Sequence, residues 1–174
     1  VLSKLTAGVR DVVVPVRPEV NSAVMLAEGA AFHAARVREG PQLFQPPVLG
    51  RLRGGEAVGT ATHIDRRREL DQMRRAAPSL FTHVDLLVTP TIPQLPIAIA
   101  EAQDDQAGTA VFARNTRPFN DYGLPALSVP CGFAKNGLPI GLQIVGPPWA
   151  QESVLRLAHA FEQTTDSRTR RPTL

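Results

Sequence analysis

Six serines, four histidines, two lysines and one cysteine are among the side chains of this 174-residue chain that could act as nucleophile or base. None of Ser3, Ser22, Ser79, Ser128, Ser153 and Ser167 lies between glycines, as a nucleophile elbow requires. Ser128 falls inside an apolar run, where a structural hydroxyl bonding to backbone is expected. No two of His33, His63, His83 and His159 are three or four residues apart, so no helical metal pair is encoded. Cys131 stands between Pro130 and Gly132 with no charged neighbour to lower its pKa, and reads as a small buried residue. Gly50, Gly54, Gly55 and Gly59 lack the Gly-Lys-Ser/Thr ending of a phosphate loop. Asp104-Asp105 sits in a polar stretch, 102–108, that reads as exposed loop. No cofactor and no metal is expected. The chain thus holds foldable sequence without a self-contained catalytic set, and is expected to be a portion of a larger enzyme.

The elements that would position such groups follow from periodicity. The opening reads as a helix end stopped by Gly8, then a strand over 12–16. A helix is predicted over 21–38, capped by Asn21 or Ser22, with Val24, Met25, Ala31, Phe32 and Ala35 as its apolar positions. Residues 41–59 carry four glycines and three prolines and read mostly as loop. A second helix is predicted over 60–77, with Leu70, Met73 and Ala77 inward. The apolar run 84–88 suits a buried strand. Asn136-Gly137 between two apolar runs predicts a hairpin with a type I′ turn, and Pro130 and Pro139 predict bulges or unpaired edges. Residues 151–163 read as a helix with Val154, Leu155, Ala158 and Phe161 inward, followed by a frayed basic tail. The order predicts an α/β domain with a mixed sheet.

Hydrophobic residues are 43% and charged residues 20%, ordinary for a globular protein, which excludes disorder for the bulk of the chain. Sixteen prolines, about twice the usual ~5%, exclude a simple helical bundle. The net charge of +3 is small, and Arg66-Arg67-Arg68 is followed at once by Glu69 and Asp71, which reads as a solvated helix face rather than a nucleic-acid surface. A single cysteine excludes an internal disulfide framework and fits a reducing, cytoplasmic home. The uncharged stretch 86–100 is 15 residues with three prolines inside, too short to span a membrane. No signal-peptide layout opens the chain, and without an initiator Met it starts as if cut from something longer.

The residues from Asp85 onward resemble the C-terminal part of the amidase signature family. The resemblance is carried by Asp85-Leu86-Leu87-Val88-Thr89-Pro90-Thr91 and by Pro118-Phe119-Asn120. It continues through Gly123-Leu124-Pro125-Ala126-Leu127-Ser128-Val129-Pro130-Cys131-Gly132, Gly137-Leu138-Pro139-Ile140-Gly141-Leu142-Gln143-Ile144-Val145-Gly146 and the following helix. It is specific over 85–162 and weaker toward the start. It implies the C-terminal portion of the amidase signature fold, a mixed β-sheet with a β-hairpin flanked by helices, and one partial domain over 1–174. Family members hydrolyse or transfer amides with a Ser–cis-Ser–Lys triad held in the N-terminal half. This chain has no GGSS-like run, and its lysines, Lys4 and Lys135, take no catalytic role. The resemblance therefore implies no catalytic residue here, a chain inactive alone, and its own N-terminal half as partner. A small-molecule amide would be the substrate of the full enzyme, and a homo-oligomer is possible.

The same resemblance offers Arg51, Phe119 and Asn120 as substrate-binding residues, with Arg51 placed like an arginine that holds a carboxylate. One branch of the family is the A subunit of glutamyl-tRNA(Gln) amidotransferase. The residue near Ala113 departs from the aspartate of that branch, which favours a general amidase. The alternatives are a fragment of that amidotransferase subunit, or a non-catalytic binding module built on the same half-fold.

Overall fold

The computed structural model describes residues 1–100, 110–167, 169 and 170. The 102–108 stretch with Asp104-Asp105 therefore lies outside the described residues, as does most of the basic tail. The chain divides into two compact units, one of residues 16–75 and one joining residues 1–15 to those from 76 onward.

The first unit is helical. Helix α2 (Pro18–Glu39) follows a single-turn α1 (Leu2–Leu5) that belongs to the other unit. It begins one turn before the expected caps. Pro18 supplies a preset φ where its missing N–H costs nothing, and Ser22 Oγ bonds back to the Pro18 carbonyl at 2.7 Å instead of capping. Val20, Val24 and Ala30 are buried. Met25 and Phe32, expected inward, are exposed, Phe32 at 75%, because the contact stripe runs through Leu26 and Ala30 instead.

The expected loop over 41–59 is a 3₁₀ turn (Pro41–Leu43) and a true helix, α3 (Pro46–Glu56). Pro46 and Pro47 occupy its first turn, where proline starts helices rather than breaking them. Gly55 is explained by packing: a Cβ there would lie 2.1 Å from the Leu26 carbonyl oxygen and 2.9 Å from Ala30 Cβ. Helix α4 (Thr60–Ala76) and a 3₁₀ turn (Ala77–Phe81) bury Leu70, Met73 and Ala77 as their spacing predicts. Its three consecutive arginines each meet a carboxylate: Arg66 and Glu69 at 2.9 Å, Arg67 and Glu28 at 3.5 Å, Arg68 and Asp65 at 3.4 Å.

The second unit holds the sheet. Strand β1 is Leu87–Pro90, shifted from the expected 84–88, because its ends are set by pairing with β3 and not by the apolar run. Strands β2 (Ala126–Phe133) and β3 (Pro139–Val145) form the expected hairpin, and the order is β1-β3-β2 with both pairings antiparallel. The register shifts between Pro130 and Gly132, the bulge that Pro130 predicts.

The hairpin turn differs from expectation. Only Gly137, at φ 81°, has a positive φ, and its N–H bonds Ala134 O at 2.9 Å while Ala134 N–H bonds Leu138 O at 2.8 Å. That is a three-residue loop closed by a left-handed glycine, not a type I′ turn. Helix α6 (Gln151–Gln163) buries Val154, Ala158 and Phe161 against Val129 and Ile144, with Val88, Leu127 and Leu142 around them. Leu155, expected inward, is 56% exposed. Beyond α6, the Arg170 guanidinium lies 4.0 Å over the Phe133 ring.

Residues 12–16 form no strand. Their β-branched run has no ladder partner among the described residues, and Val13 is 89% exposed. The segment is held near its end by Tyr122 Oη, which donates to Pro15 O at 3.0 Å.

Candidate functional site

The face of the sheet opposite α6 is polar, for a reason that starts with register. Thr89, Gln143 and Ser128 sit side by side on β1, β3 and β2, and alternation points all three away from the α6 core. Gln143 is only 4% exposed. A buried amide must find partners or carry its desolvation cost. Gln143 Nε2 donates to Thr89 Oγ1 at 3.0 Å and to Asn115 O at 2.9 Å. Asn115 Nδ2 in turn donates to Pro90 O at 2.9 Å. Asn115 is therefore fastened to two strands, and it sits just before helix α5 (Arg117–Tyr122).

Beside this row, Thr91 Oγ1 and Ser128 Oγ form a hydroxyl pair at 2.6 Å, and Thr91 N–H bonds Gly141 O at 2.8 Å. Gly141 must lack a side chain, since a Cβ would stand 2.6 Å from Thr91 Oγ1 and 2.7 Å from Ser128 Oγ. The partner of Ser128 is thus a side-chain hydroxyl, not the backbone group expected from sequence.

Helix α5 carries two of the three candidate binding residues. Pro118-Phe119-Asn120 is helical because Pro118 sits in a first turn, and the helix ends in a Schellman motif. Gly123 takes φ 69°, its N–H bonds Asn120 O at 3.1 Å, and Leu124 N–H bonds Phe119 O at 2.9 Å. Phe119 is 3% exposed, so it is a packing anchor, whereas its neighbour Asn120 is solvent-exposed. Arg51 is exposed on α3, in the helical unit. The structure thus brings Phe119 and Asn120 onto one helix. Gln143, Asn115 and Thr91 are not residues that sequence reasoning singles out. The signal for Gln143 is nevertheless there, as a lone polar residue within an otherwise apolar strand.

The arrangement orders a polar sheet face and the segment above it; it does not assemble a proton-transfer pair. Ser22 and Ser79 bond helix carbonyls, Ser128 bonds a threonine hydroxyl and Ser153 an arginine, so none of these contacts supplies a base. Among the described residues, no three His, Cys, Asp or Glu side chains gather as metal ligands either. Replacing Gln143 by Leu removes the donors to Thr89 and Asn115. The expected loss is about 1–3 kcal/mol in urea denaturation, with faster amide exchange over 111–117.

Cys131 lies at the β2 bulge, partly buried. Desolvation raises its thiol pKa above the ordinary cysteine range, opposed by a backbone hydrogen bond. The folded chain therefore favours the protonated thiol. Stability from this group holds at low and neutral pH and falls as pH rises past the unfolded thiol's pKa. Iodoacetamide is expected to modify Cys131 several-fold more slowly in the folded chain than in urea at the same alkaline pH.

Comparison with known proteins bears on what this arrangement belongs to. The family model described as Amidase matches residues 27–155. The chain is 31% identical over 185 residues to an amidase of Pseudomonas putida, covering 99% of this chain and 39% of that protein. It is 37% identical over 135 residues to the A subunit of glutamyl-tRNA(Gln) amidotransferase from Moorella thermoacetica, covering 78% of this chain and 28% of that one. A crystal structure of an amidase superposes with a TM-score of 0.82 at 26% identity, over 94% of this chain and 39% of that chain. The chain spans between 19% and 39% of the length of such curated relatives.

Proposed function

Because this chain belongs to the amidase family, we propose that it is the C-terminal portion of an enzyme that hydrolyses non-peptide amide C–N bonds. In this reading it contributes sheet and part of the substrate-pocket wall, while nucleophile and base come from the N-terminal half. The observation that carries the reading is the contrast between reach and chemistry. The chain aligns with an amidase over nearly its whole length, yet the hydroxyls of Ser128 and Ser153 are engaged by a threonine and an arginine instead of a base. The 1–174 chain is then one partial domain of the parent, whose substrate is a small amide.

Arg51 and Asn120 are the proposed substrate contacts, with Phe119 as the buried anchor that holds Asn120 in place. Arg51 offers a planar fork for a carboxylate or carbonyl of the substrate. A cytoplasmic location is part of the same proposal and rests on the single cysteine. No helix among the described residues is long and apolar enough to cross a membrane.

The second reading makes the chain a portion of the A subunit of a glutamyl-tRNA(Gln) amidotransferase. It is favoured by identity to proteins of that name, 37% to the one from Moorella thermoacetica. The test is a fusion in which the part of the Pseudomonas putida amidase that this chain does not match precedes Val1. It should hydrolyse a simple amide such as benzamide, and Arg51→Ala should raise KM about 10-fold with little change in kcat. Activity on glutamine but not on benzamide would favour the second reading. A folded fusion inert toward both would refute both.

A further inference from the structure

Asn115 carries one polar atom that the fold fixes but does not use. Its Nδ2 donates to Pro90 O at 2.9 Å. A carbonyl can only accept, so this bond decides which end of the side-chain amide is which. The Asn115 backbone O is taken by Gln143 Nε2 at 2.9 Å. Oδ1 is left with no partner among the described residues, on a half-buried side chain that cannot turn over without losing the Pro90 bond. An acceptor held this way loses little further freedom when a donor binds it.

Thr91 stands one residue beyond Pro90, and its Oγ1 meets Ser128 Oγ at 2.6 Å. Two hydroxyls carry two protons, and the bond between them uses one. Whichever group donates, the other keeps an O–H with no acceptor among the described residues. The pair is within reach of a ligand, since Ser128 is exposed and Thr91 half-buried. Gly141 lies beneath it, and a Cβ there would push the two oxygens apart.

Both features belong to the sheet face opposite α6. Thr91 shares the side of β1 that Thr89 presents, and Asn115 is bonded to Gln143 over that same side. One strand spacing of ~4.8 Å and one residue of rise, ~3.3 Å, put the spare hydroxyl and the spare acceptor ~6 Å apart. An amide group has its C=O and its N–H on neighbouring atoms. With a hydrogen bond of ~2.9 Å at each end, it spans a gap of this size.

The donor pattern excludes other groups. A carboxylate brings acceptors only, so one oxygen would face Asn115 Oδ1 with no proton between them. An ammonium brings donors only and leaves the hydroxyl proton unused.

We infer that Asn115 Oδ1 and the Thr91–Ser128 hydroxyl pair form a binding site for an uncharged amide group. The hydroxyl proton goes to the amide carbonyl, and the amide N–H goes to Asn115. The site orients its ligand and moves no proton. It rests on the proposed reading in one respect: that reading makes a small amide the substrate. It also tells the amide from the acid that hydrolysis leaves, because the acid has no N–H to offer.

Two-dimensional NMR of the chain titrated with benzamide tests the site, with benzoate as the comparison. Signals of Thr91, Asn115 and Ser128 should shift saturably with benzamide, and benzoate should bind at least about 10-fold more weakly. Thr91→Val combined with Ser128→Ala removes both hydroxyls and should weaken benzamide about 10-fold. The fold should survive, because replacing both partners of a hydrogen bond by apolar groups is nearly neutral. Asn115→Ala should abolish the preference for benzamide over benzoate. No saturable shift, shifts confined to other residues, equal binding of benzoate, or unchanged binding in the double variant each overturns the inference. Hydrolysis by the fusion with the Pseudomonas putida segment is read separately. A fusion that hydrolyses benzamide with a KM untouched by the double variant keeps the enzyme reading and removes the site. Benzamide binding that the double variant weakens, beside a folded but inert fusion, does the reverse.

Discussion

The isolated chain will show no amide hydrolysis above the uncatalysed rate, whether offered benzamide, an anilide or glutamine. The basis is geometric. A serine attacks an amide only when a base takes its proton and donors hold the developing oxyanion, and together these groups are worth at least ~10⁶ in rate. Ser128 Oγ is bonded to Thr91 Oγ1, a group with no basicity at neutral pH. Ser22 and Ser79 bond helix carbonyls, and Ser153 accepts from Arg156 at 3.5 Å, which is the wrong partner for a nucleophile. Lys135 stands in the hairpin loop, and Lys4 in the single-turn α1. Release of aniline from an anilide, followed by absorbance over days, checks the expectation. Turnover that disappears in Ser128→Ala would overturn it, and would require the Thr91–Ser128 pair to rearrange around a base.

How much of the fold is legible in the sequence depends on whether an element's cause is local. The bounds of helix α6 can be read to the residue, since its apolar spacing and flanks lie within one segment. The β2–β3 hairpin and the Pro130 bulge are equally readable, because proline's missing donor confines it to bulges, strand ends or the outward side of an edge strand. Elements whose cause lies elsewhere in the chain escape such a reading. Residues 12–16 have strand composition but no partner among the described residues to make them a strand. β1 slides by two residues or more because β3 sets its ends.

Of the candidate site, Phe119 and Asn120 are visible as a motif, but the resemblance says nothing of how one turns inward while the other faces solvent. The partners of Gln143 are hidden for another reason. Its importance lies in bonds to Thr89 and Asn115, residues 54 and 28 positions away. No local pattern encodes that.

The sharpest case is the glycine-rich stretch at 50–55, which reads as loop and folds as helix α3. It yields a prediction in which neighbouring, chemically identical substitutions act in opposite directions. In a helix interior Ala is favoured over Gly by roughly 0.5–1 kcal/mol, because Gly loses more backbone entropy on folding. Gly50 has nothing within 4 Å of where a Cβ would stand. Gly50→Ala should therefore raise the melting temperature of this unit by a few degrees.

At Gly55 the same methyl would meet the Leu26 carbonyl oxygen at 2.1 Å and Ala30 Cβ at 2.9 Å. The first is backbone of α2 and cannot rotate aside. The two helices must separate, and Leu52, within 3.6 Å of the space beside Gly29, would lose its contact too. Overpacking of this kind costs about 1–3 kcal/mol or more, outweighing the propensity gain. For a unit of this size that is a fall in melting temperature of about 10 °C. Thermal denaturation of the two variants side by side decides the matter. If Gly55→Ala melted no lower than Gly50→Ala, α2 and α3 would not be in the close contact from which the glycine's role is argued.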